Sequence, residues 1–502
     1  MIPPLFAIFV YPLFALILFS VFKLRQALIW TLFLGYMFLP SRTSYNLPLL
    51  PAITKDSMPA IAVLICLALF GASAVKKENL SVGRGWIPRS PIIVLLLITI
   101  VAGIFGTAYT NGEALRYGPV VLPGLQLQDA LSATLGMIML LLPMLLARKY
   151  LADEDSQRLL LKSLAVAGII YSLPIIYEVV MSPQLNRIVY GFFPHSWIQH
   201  VRNGGFRPLV FMQHGLWLGI FMCCTVLATA AYARAAEGIE KGPYLILGGW
   251  LLFILLISKT LGAFAIALLL IPVLFFLPSR AQILIAAGVV SCVLIYPTLR
   301  GADVIPVDRV VEIAEQINTN RAGSLQHRLN NEEQLLDRVD LKPVFGWGGW
   351  NRSRIFDEQG RDLTTADGQW IIRIGRSGWV GYLGMFGLLC GPIILFALRP
   401  RRYAITPVTV GLSIVLAANL IDLIPNSGMS VITWIMAGSL IGRLEQRAPV
   451  SSPEDQPVVE PEKPSLQYSR FAPQTQPHQG VSASVRAPIA HTPHQRRSRH
   501  AL

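Results

Sequence analysis

The sequence predicts an all-α, polytopic transmembrane helical bundle, on three observations. Of its 502 residues, 53% are hydrophobic and only 14% are charged, where a soluble protein carries roughly 25% charged residues. Leu-rich apolar runs of ~17–25 residues, long enough to cross a ~30 Å hydrocarbon core, recur up to the tail that begins at residue 445. Basic residues collect in alternate connections between these runs, the distribution that orients a membrane protein. The charge deficit excludes a string of soluble domains. A β-barrel is excluded because its strands would alternate every second residue over ~10 residues.

Taken in order, the runs predict spans over residues 5–22, 27–40, 58–75, 91–109, 128–147, 160–181, 208–233, 243–258, 260–278, 281–297, 377–398, 404–422 and 427–443. The second run is short and two others nearly fuse around Lys259, so the expected count is about 12–14. No basic residue precedes the first run and no small-x-small cleavage site follows it before Lys23, which predicts a retained span rather than a cleaved signal peptide. Lys23 and Arg25, Lys76, Lys77, Arg84 and Arg89, Arg148 and Lys149, Arg234 and Lys241, Arg280, and Arg399, Arg401 and Arg402 alternate so as to share one side, which is then cytoplasmic. Residues 41–57, 110–127, 182–207, 298–376 and 423–426 then face outward. The amino terminus lies outside and the carboxyl terminus inside. The net charge of +14 reads as this loop bias and not as a nucleic-acid surface. Cys66, Cys223, Cys224, Cys292 and Cys390 all sit in apolar runs, without a C-x-x-C or a His at ligand spacing, and read as buried small hydrophobes.

Two segments differ from residues 1–444, the membrane bundle. Residues 445–502 are rich in Pro, Gln and Ser and end in Arg496-Arg497-Ser498-Arg499, the composition of a disordered cytoplasmic tail. The outward loop 298–376 is the long polar segment between spans, and loops of that length are usually functional. Apolar spacing within it predicts short helices over Val307 to Ile317 and Ser324 to Val339, a helical cap on the bundle. The run Gly346-x-Gly348-Gly349 lacks the Lys-Ser/Thr of a phosphate loop and reads as a tight turn. No internal repeat supports an inverted-repeat transporter.

No H-E-x-x-H, G-x-S-x-G or G-x-x-x-x-G-K-[ST] motif is present. What stands out is cationic clustering on the outward side, against the usual bias. Arg187, Arg202, Arg207, His195 and His200 lie in one loop, ahead of His214. Arg321, His327, Arg328, Arg338, Arg352, Arg354, Arg361, Arg373 and Arg376 lie in the cap and its exit. For any single arginine, ordinary surface pairing is the alternative. Collectively, planar guanidinium forks suit a phosphate or pyrophosphate. Lys259, between two apolar runs, is either a snorkelling lysine or a phosphate ligand. Glu178, His214 and Asp422 sit near span ends, where ionisable groups are costly.

Three pieces of the chain resemble the O-antigen ligase and O-antigen polymerase superfamily of bacterial surface-polysaccharide enzymes. The first is Arg202-Asn203-Gly204-Gly205-Phe206-Arg207-Pro208 leading to His214-Gly215. The second is Ser258-Lys259-Thr260-Leu261-Gly262-Ala263, similar to the family's Ser-Arg-Gly-Ala element. The third places Arg328 before Lys342-Pro343-Val344-Phe345-Gly346-Trp347-Gly348, then Thr365-Ala366-Asp367-Gly368-Gln369-Trp370-Ile371, then Gly375-x-x-Gly378-Trp379-Val380-Gly381. The likeness covers about residues 200–400. One departure matters: the ligases usually carry His-Asn where this chain has Asp367-Gly368, which argues for polymerase over ligase and leaves the catalytic base open.

The resemblance implies a metal-independent and cofactor-free glycosyltransferase of the bacterial inner membrane. It would move glycan from an undecaprenyl-pyrophosphate carrier to an acceptor hydroxyl at the periplasmic face, with other polysaccharide-assembly proteins as candidate partners. Arg202, Arg207, Lys259 and Arg328 would bind the pyrophosphate, whose departure needs charge neutralisation. Asp367 or His214 would serve the acceptor hydroxyl. Trp347, Trp350 and Trp370 would stack on sugar, with packing of the cap as the alternative. For Asp367 the alternatives are pairing with Arg373 and capping the helix that begins near Gly368. The rival functional class is a transporter or flippase for polysaccharide or lipid-linked sugar. Such proteins place polar groups near the bilayer midplane, whereas here they gather at one face.

Overall fold

The computed structural model describes residues 1–446 apart from 48–49, 78–84, 203, 237, 239–240, 305, 318 and 404. The side chains of 72–77, 202, 308, 310, 313–314, 317 and 319–321 are also outside the description, as is the expected tail 445–502 beyond its first two residues, Glu445 and Gln446.

The architecture is the expected all-α polytopic bundle. Its helices are α1 (Pro4–Val21), α2 (Leu24–Phe38), α3 (Met58–Lys77), α4 (Pro91–Tyr109), α5 (Leu127–Tyr150), α6 (Glu154–Met181), α7 (Leu185–Tyr190), α8 (Gly215–Ala235), α9 (Lys241–Ile257), α10 (Leu261–Phe276), α11 (Ser279–Gly301), α12 (Val307–Ile317), α13 (Thr319–Asp340), α14 (Gln369–Leu398), α15 (Pro407–Asp422) and α16 (Val431–Leu444). A helix occupies the place of every expected span. Among the described residues, α1, α4, α5, α6, α8, α11 and α14 are long and apolar enough to cross a membrane, and α3, α9, α10, α15 and α16 are shorter apolar helices. The chain is a multi-pass membrane protein. Buried aliphatic and aromatic side chains of α8, α15 and α16 form the centre of the bundle, while α1, α4 and α10 turn wide apolar faces outward.

The loops separate to two ends as their charge pattern requires. At one end Arg25 pairs with Asp153 at 2.6 Å, and Arg234 donates to Leu277 O at 3.2 Å. There the fully buried Arg148 pairs with Glu445 at 2.7 Å and gathers the carbonyls of Gly85, Trp86 and Ile87. The other end carries α7, α12 and α13 and three two-stranded hairpins: β1–β2 (Ser44–Tyr45, Ile53–Thr54), β3–β4 (Leu115–Tyr117, Val120–Leu122) and β5–β6 (Val201–Arg202, Gly205–Phe206). We call this the cap end.

Four expectations are corrected. The span expected over 208–233 becomes helical only at Gly215, because Pro208 has no N–H and the amides of Leu209 and Val210 are taken by Glu178. The polar loop expected over 298–376 is shorter, since α11 runs to Gly301 and α14 starts at Gln369. The span expected at 377–398 is the second part of α14, which breaks at Gly378. Cys292 is exposed on α11, unlike the other four cysteines.

The break in α14 is what seats the cap. Gly378 has φ 60° and ψ −167°, a region open essentially to glycine. The backbone groups freed there are satisfied by the loop after α13. Trp347 N donates to Gly375 O at 2.9 Å and Gly348 N to Arg376 O at 2.8 Å. Trp379 N donates to Pro343 O at 2.8 Å and Val380 N to Val344 O at 3.2 Å. A Cβ on Gly378 would lie 2.3 Å from Val344 O, and one on Gly346, itself at φ +66°, 2.6 Å from Gly378 N. Gly378→Ala is therefore expected to lose at least ~1–3 kcal/mol from backbone strain alone. Thermal unfolding of detergent-solubilised protein should show a clear drop in Tm, while Gly391→Ala, whose Cβ meets nothing within 4 Å, changes it little.

Candidate functional site

The site is assembled on the connection between α6 and α8. Glu178, buried near the end of α6, accepts from Leu185 N at 3.0 Å through Oε1, and from Leu209 N at 2.9 Å and Val210 N at 2.7 Å through Oε2. One carboxylate thus fixes both ends of the connection. Within it, Arg207 N donates to His200 O at 2.7 Å, and the His200 ring meets Arg207 O through Nδ1 at 3.1 Å. A carbonyl only accepts, so His200 Nδ1 carries a proton. His214 is the N-cap of α8, its Nδ1 accepting from Leu216 N at 3.0 Å. Its Nε2 then holds the proton and faces Gln199 Oε1 at 3.4 Å.

His195 meets His200 and His214 edge to face, and His200 and His214 are tilted to each other, with centroids 4.4–5.8 Å apart. Their ligand atoms lie within 4.8 Å of one another, so among the described residues the trio is the cluster that could hold a metal. Two features argue against that use. His214 has no free lone pair while it caps α8, and Arg42, Arg207 and Arg328 lie close enough for their charge to act on the rings. Burial first, and then the neighbouring histidines and the two arginines Arg207 and Arg328, push His214 down to about 2. Imidazole N–H groups among guanidinium ions suit an anion better than a cation.

The expected cations approach this connection from separate elements. The Arg207 stem lies against Gly215, where a Cβ would come within 2.5 Å of Arg207 Cδ. Lys259, in the turn between α9 and α10 with φ +54°, brings Nζ beside the hairpin, 2.4 Å from where a Cβ on Gly205 would stand. Arg328, on α13, donates to Pro425 O at 3.2 Å and pairs through Nε with Asp367 Oδ2 at 3.3 Å. Asp367 therefore pairs with Arg328 and not with Arg373, and the N-cap of α14 is Gly368, which makes no side-chain cap bond. Gln369 N donates to Leu423 O and Asn426 O, fixing Asp367 against the α15–α16 connection. The backbone of Arg202 is in β5, but its side chain is outside the described residues.

The aromatic expectation is corrected in two of three positions. Trp347 is buried, its Nε1 donating to Arg338 O at 2.7 Å and its ring covered by the Arg338 guanidinium at 3.7 Å. Trp370 is fully buried against Tyr296. Both pack the cap and present no face to sugar. Trp350 is 68% exposed. Several cap arginines are likewise architectural. Arg352 is fully buried and donates to the carbonyls of Trp347, Glu113 and Pro123. Arg354 pairs with Asp362, and Arg361 with Asp357 at 2.7 Å.

Sequence reasoning missed two parts of the site. The α2–α3 loop reaches it, and a cavity of about 240 Å³ there is lined by Tyr36, Arg42, Lys55, Asp56, Gln213 and Trp217 among others. Buried Lys55 donates to Phe211 O at 2.8 Å, and burial pushes it down to about 8. On α13, one turn beyond Arg328, Glu332 is buried and receives the Tyr296 hydroxyl at 3.4 Å. Burial pushes its carboxyl up to about 7, with the Asp367 charge adding to the shift. Neither residue lies in a recognisable motif; only burial marks them.

Lys55 carries a pH signature. Below about pH 8 its amine is charged whether the chain is folded or unfolded; between about 8 and its ordinary value of 10.5 the unfolded chain binds the extra proton. Stability should therefore rise with pH across that window. Thermal unfolding at pH 7.5, 9 and 10.5 should show the rise in the native protein and its loss in Lys55→Met.

No family model matches the chain, and no curated protein matches it.

Proposed function

We propose that the chain is a membrane glycosyltransferase that moves glycan from a polyprenyl-pyrophosphate carrier to an acceptor hydroxyl outside the cytoplasmic membrane, and that it acts as a polymerase of surface or exported polysaccharide. The observation that carries this reading is the gathering of Arg207, Lys259 and Arg328 with three histidines around the start of α8, at the cap end. The resemblance of residues 200–400 to the O-antigen ligases and polymerases supports it, as does the placing of this cluster at the end opposite the Lys/Arg-rich loops.

The chemistry follows from the residues. The acceptor oxygen attacks the anomeric carbon, and the bond from that carbon to the pyrophosphate oxygen breaks with its electron pair going to the pyrophosphate. Guanidinium and ammonium groups held before the reaction stabilise the charge that develops on the leaving group. The helix N-terminus of α8 points positive partial charge the same way. His214, neutral before substrate binds, presents an N–H to a phosphate oxygen. Asp367, held by Arg328, accepts the hydrogen bond of the acceptor hydroxyl and takes up its proton as the new bond forms.

Two tests address this reading. In a cysteine-free background, a membrane-impermeant thiol reagent added to intact cells should modify a cysteine at Ser353 and spare one at Ser465; the reverse pattern places the site in the cytoplasm and defeats the mechanism. In a deletion strain complemented with variants, Asp367→Asn should lower polymer synthesis by ~10²–10⁴-fold while the protein stays abundant in the membrane. Arg207→Lys and Arg328→Lys keep charge but lose the planar fork, so each should cut synthesis strongly. Full activity in all three variants would refute the assignment.

A further inference from the structure

A second cavity lies at the cap end, away from the histidines. It has a volume of about 310 Å³ and runs between α4 and α5. Its wall is made mostly of apolar residues such as Ile104, Ala133, Met137 and Leu140, and of the open backbone at Gly136. From Asp129 to Leu140 the lining follows α5 over roughly 16 Å of helix rise. At its head stand Arg373 and Arg376 on the first part of α14, with Gly348, Gly349 and Trp350 of the cap loop. Neither guanidinium group has an ion-pair or hydrogen-bond partner among the described residues; Arg373 is half-buried with its Nε fully covered, and Arg376 is exposed. Asp129 also lines the cavity, but its Oδ2 accepts from Gln126 N at 2.8 Å and closes the capping box of α5.

Two arginines at the head of an apolar groove, with no ion-pair partner among the described residues, suit an anion that arrives with its own apolar chain. A free anion would leave the groove empty, and a neutral lipid would leave the arginines unpaired. The flanking helices turn exposed apolar side chains outward, Leu95, Ile98 and Phe105 on α4 and Leu131, Leu135 and Ile138 on α5, so a ligand reaches the groove from the bilayer. The exposed indole of Trp350 at the mouth suits the depth of a lipid headgroup.

We propose that this groove is a binding site for a lipid-anchored pyrophosphate, with the pyrophosphate between Arg373 and Arg376 and the chain along α5. It is separate from the cluster around His214, and its existence does not depend on the transfer reaction proposed above. If that reaction is right, the groove supplies a place for a second lipid-linked chain, which a polymerase joining two such chains requires.

The test is photolabelling of the purified full-length protein in phosphatidylcholine nanodiscs. The probe is a farnesyl pyrophosphate analogue carrying a diazirine at the chain end, and labelled peptides are mapped by mass spectrometry. Labelling is expected on residues 127–140 and should fall by about tenfold or more in Arg373→Gln/Arg376→Gln, since charge-assisted bonds are lost. It should recover in part with lysine at both positions. Gly136→Leu, which fills open space in the groove, should also suppress it. Excess farnesyl pyrophosphate should compete, and inorganic pyrophosphate or farnesol alone should compete at least about tenfold less well. The proposal is overturned if the glutamine pair labels α5 as strongly as the native protein, if a diazirine farnesol labels α5 equally, or if the label falls only near α8. Inorganic pyrophosphate competing as well as the lipid, with Gly136→Leu without effect, would point to a soluble anion and overturn it as well. None of these results bears on whether Asp367 and Arg207 are needed for polymer synthesis.

Discussion

A helix broken inside a membrane protein leaves amides and carbonyls that hydrocarbon cannot satisfy. The break at Gly378 is the constraint on which the outer part of this molecule depends. The freed groups of Gly375, Arg376, Trp379 and Val380 are matched one for one by the loop 343–348. That loop is therefore locked onto α14, and the cap locked with it. Gly346 and Gly378 allow the two backbones to approach closely enough for this pairing. From the same anchor, buried Arg352 reaches the carbonyls of Glu113 and Pro123 in the α4–α5 connection, and Lys342 pairs with Glu113 at 2.7 Å. The first part of α14, released from the direction of the second, carries Arg373 and Arg376 toward the α4–α5 groove and starts beside Asp367.

Glu178 plays the corresponding part across the bundle. Its carboxylate gathers three backbone amides from two points of one connection, a satisfied arrangement for a buried acid. The effect is to hold Pro208 to His214 out of helix, in a turn at Val210 (φ 55°), so that α8 starts late and its N-terminus opens into a polar region. The histidines there are packed against one another and surrounded by cations, which keeps His214 uncharged. A phosphate bound at this point would meet N–H donors and guanidinium groups together, and its own charge would ease the protonation that burial and the neighbouring cations oppose.

The sequence was most legible where a physical rule acts on many residues at once. Span positions followed from apolar run length, and the grouping of loops at two ends followed from Lys and Arg counts. The helices expected over Val307 to Ile317 and Ser324 to Val339 followed from their apolar spacing, although the second begins earlier, at Thr319. Single side chains were less legible. Trp347 and Trp370 look like sugar platforms in a polar loop, yet the loop's own docking buries both. Lys55, Glu332 and the groove arginines lie in no motif, and their character comes from burial, which depends on elements far away in the chain.

Composition and hydropathy by themselves determined that this is a multi-pass all-α membrane protein with one large polar loop, because transfer of apolar residues into lipid is a sum over local sequence. Tertiary structure decided which charges meet. Arg328 could have paired with any acid in a loop rich in them; docking of the α15–α16 connection placed it on Asp367. Arg352 and Arg373 are the same residue type in neighbouring segments. One is surrounded by carbonyls and holds the cap, while the other lines an apolar groove with no side-chain partner among the described residues. Electrostatic energy depends on distance and on exclusion of water, and both are properties of the packed bundle and not of sequence position.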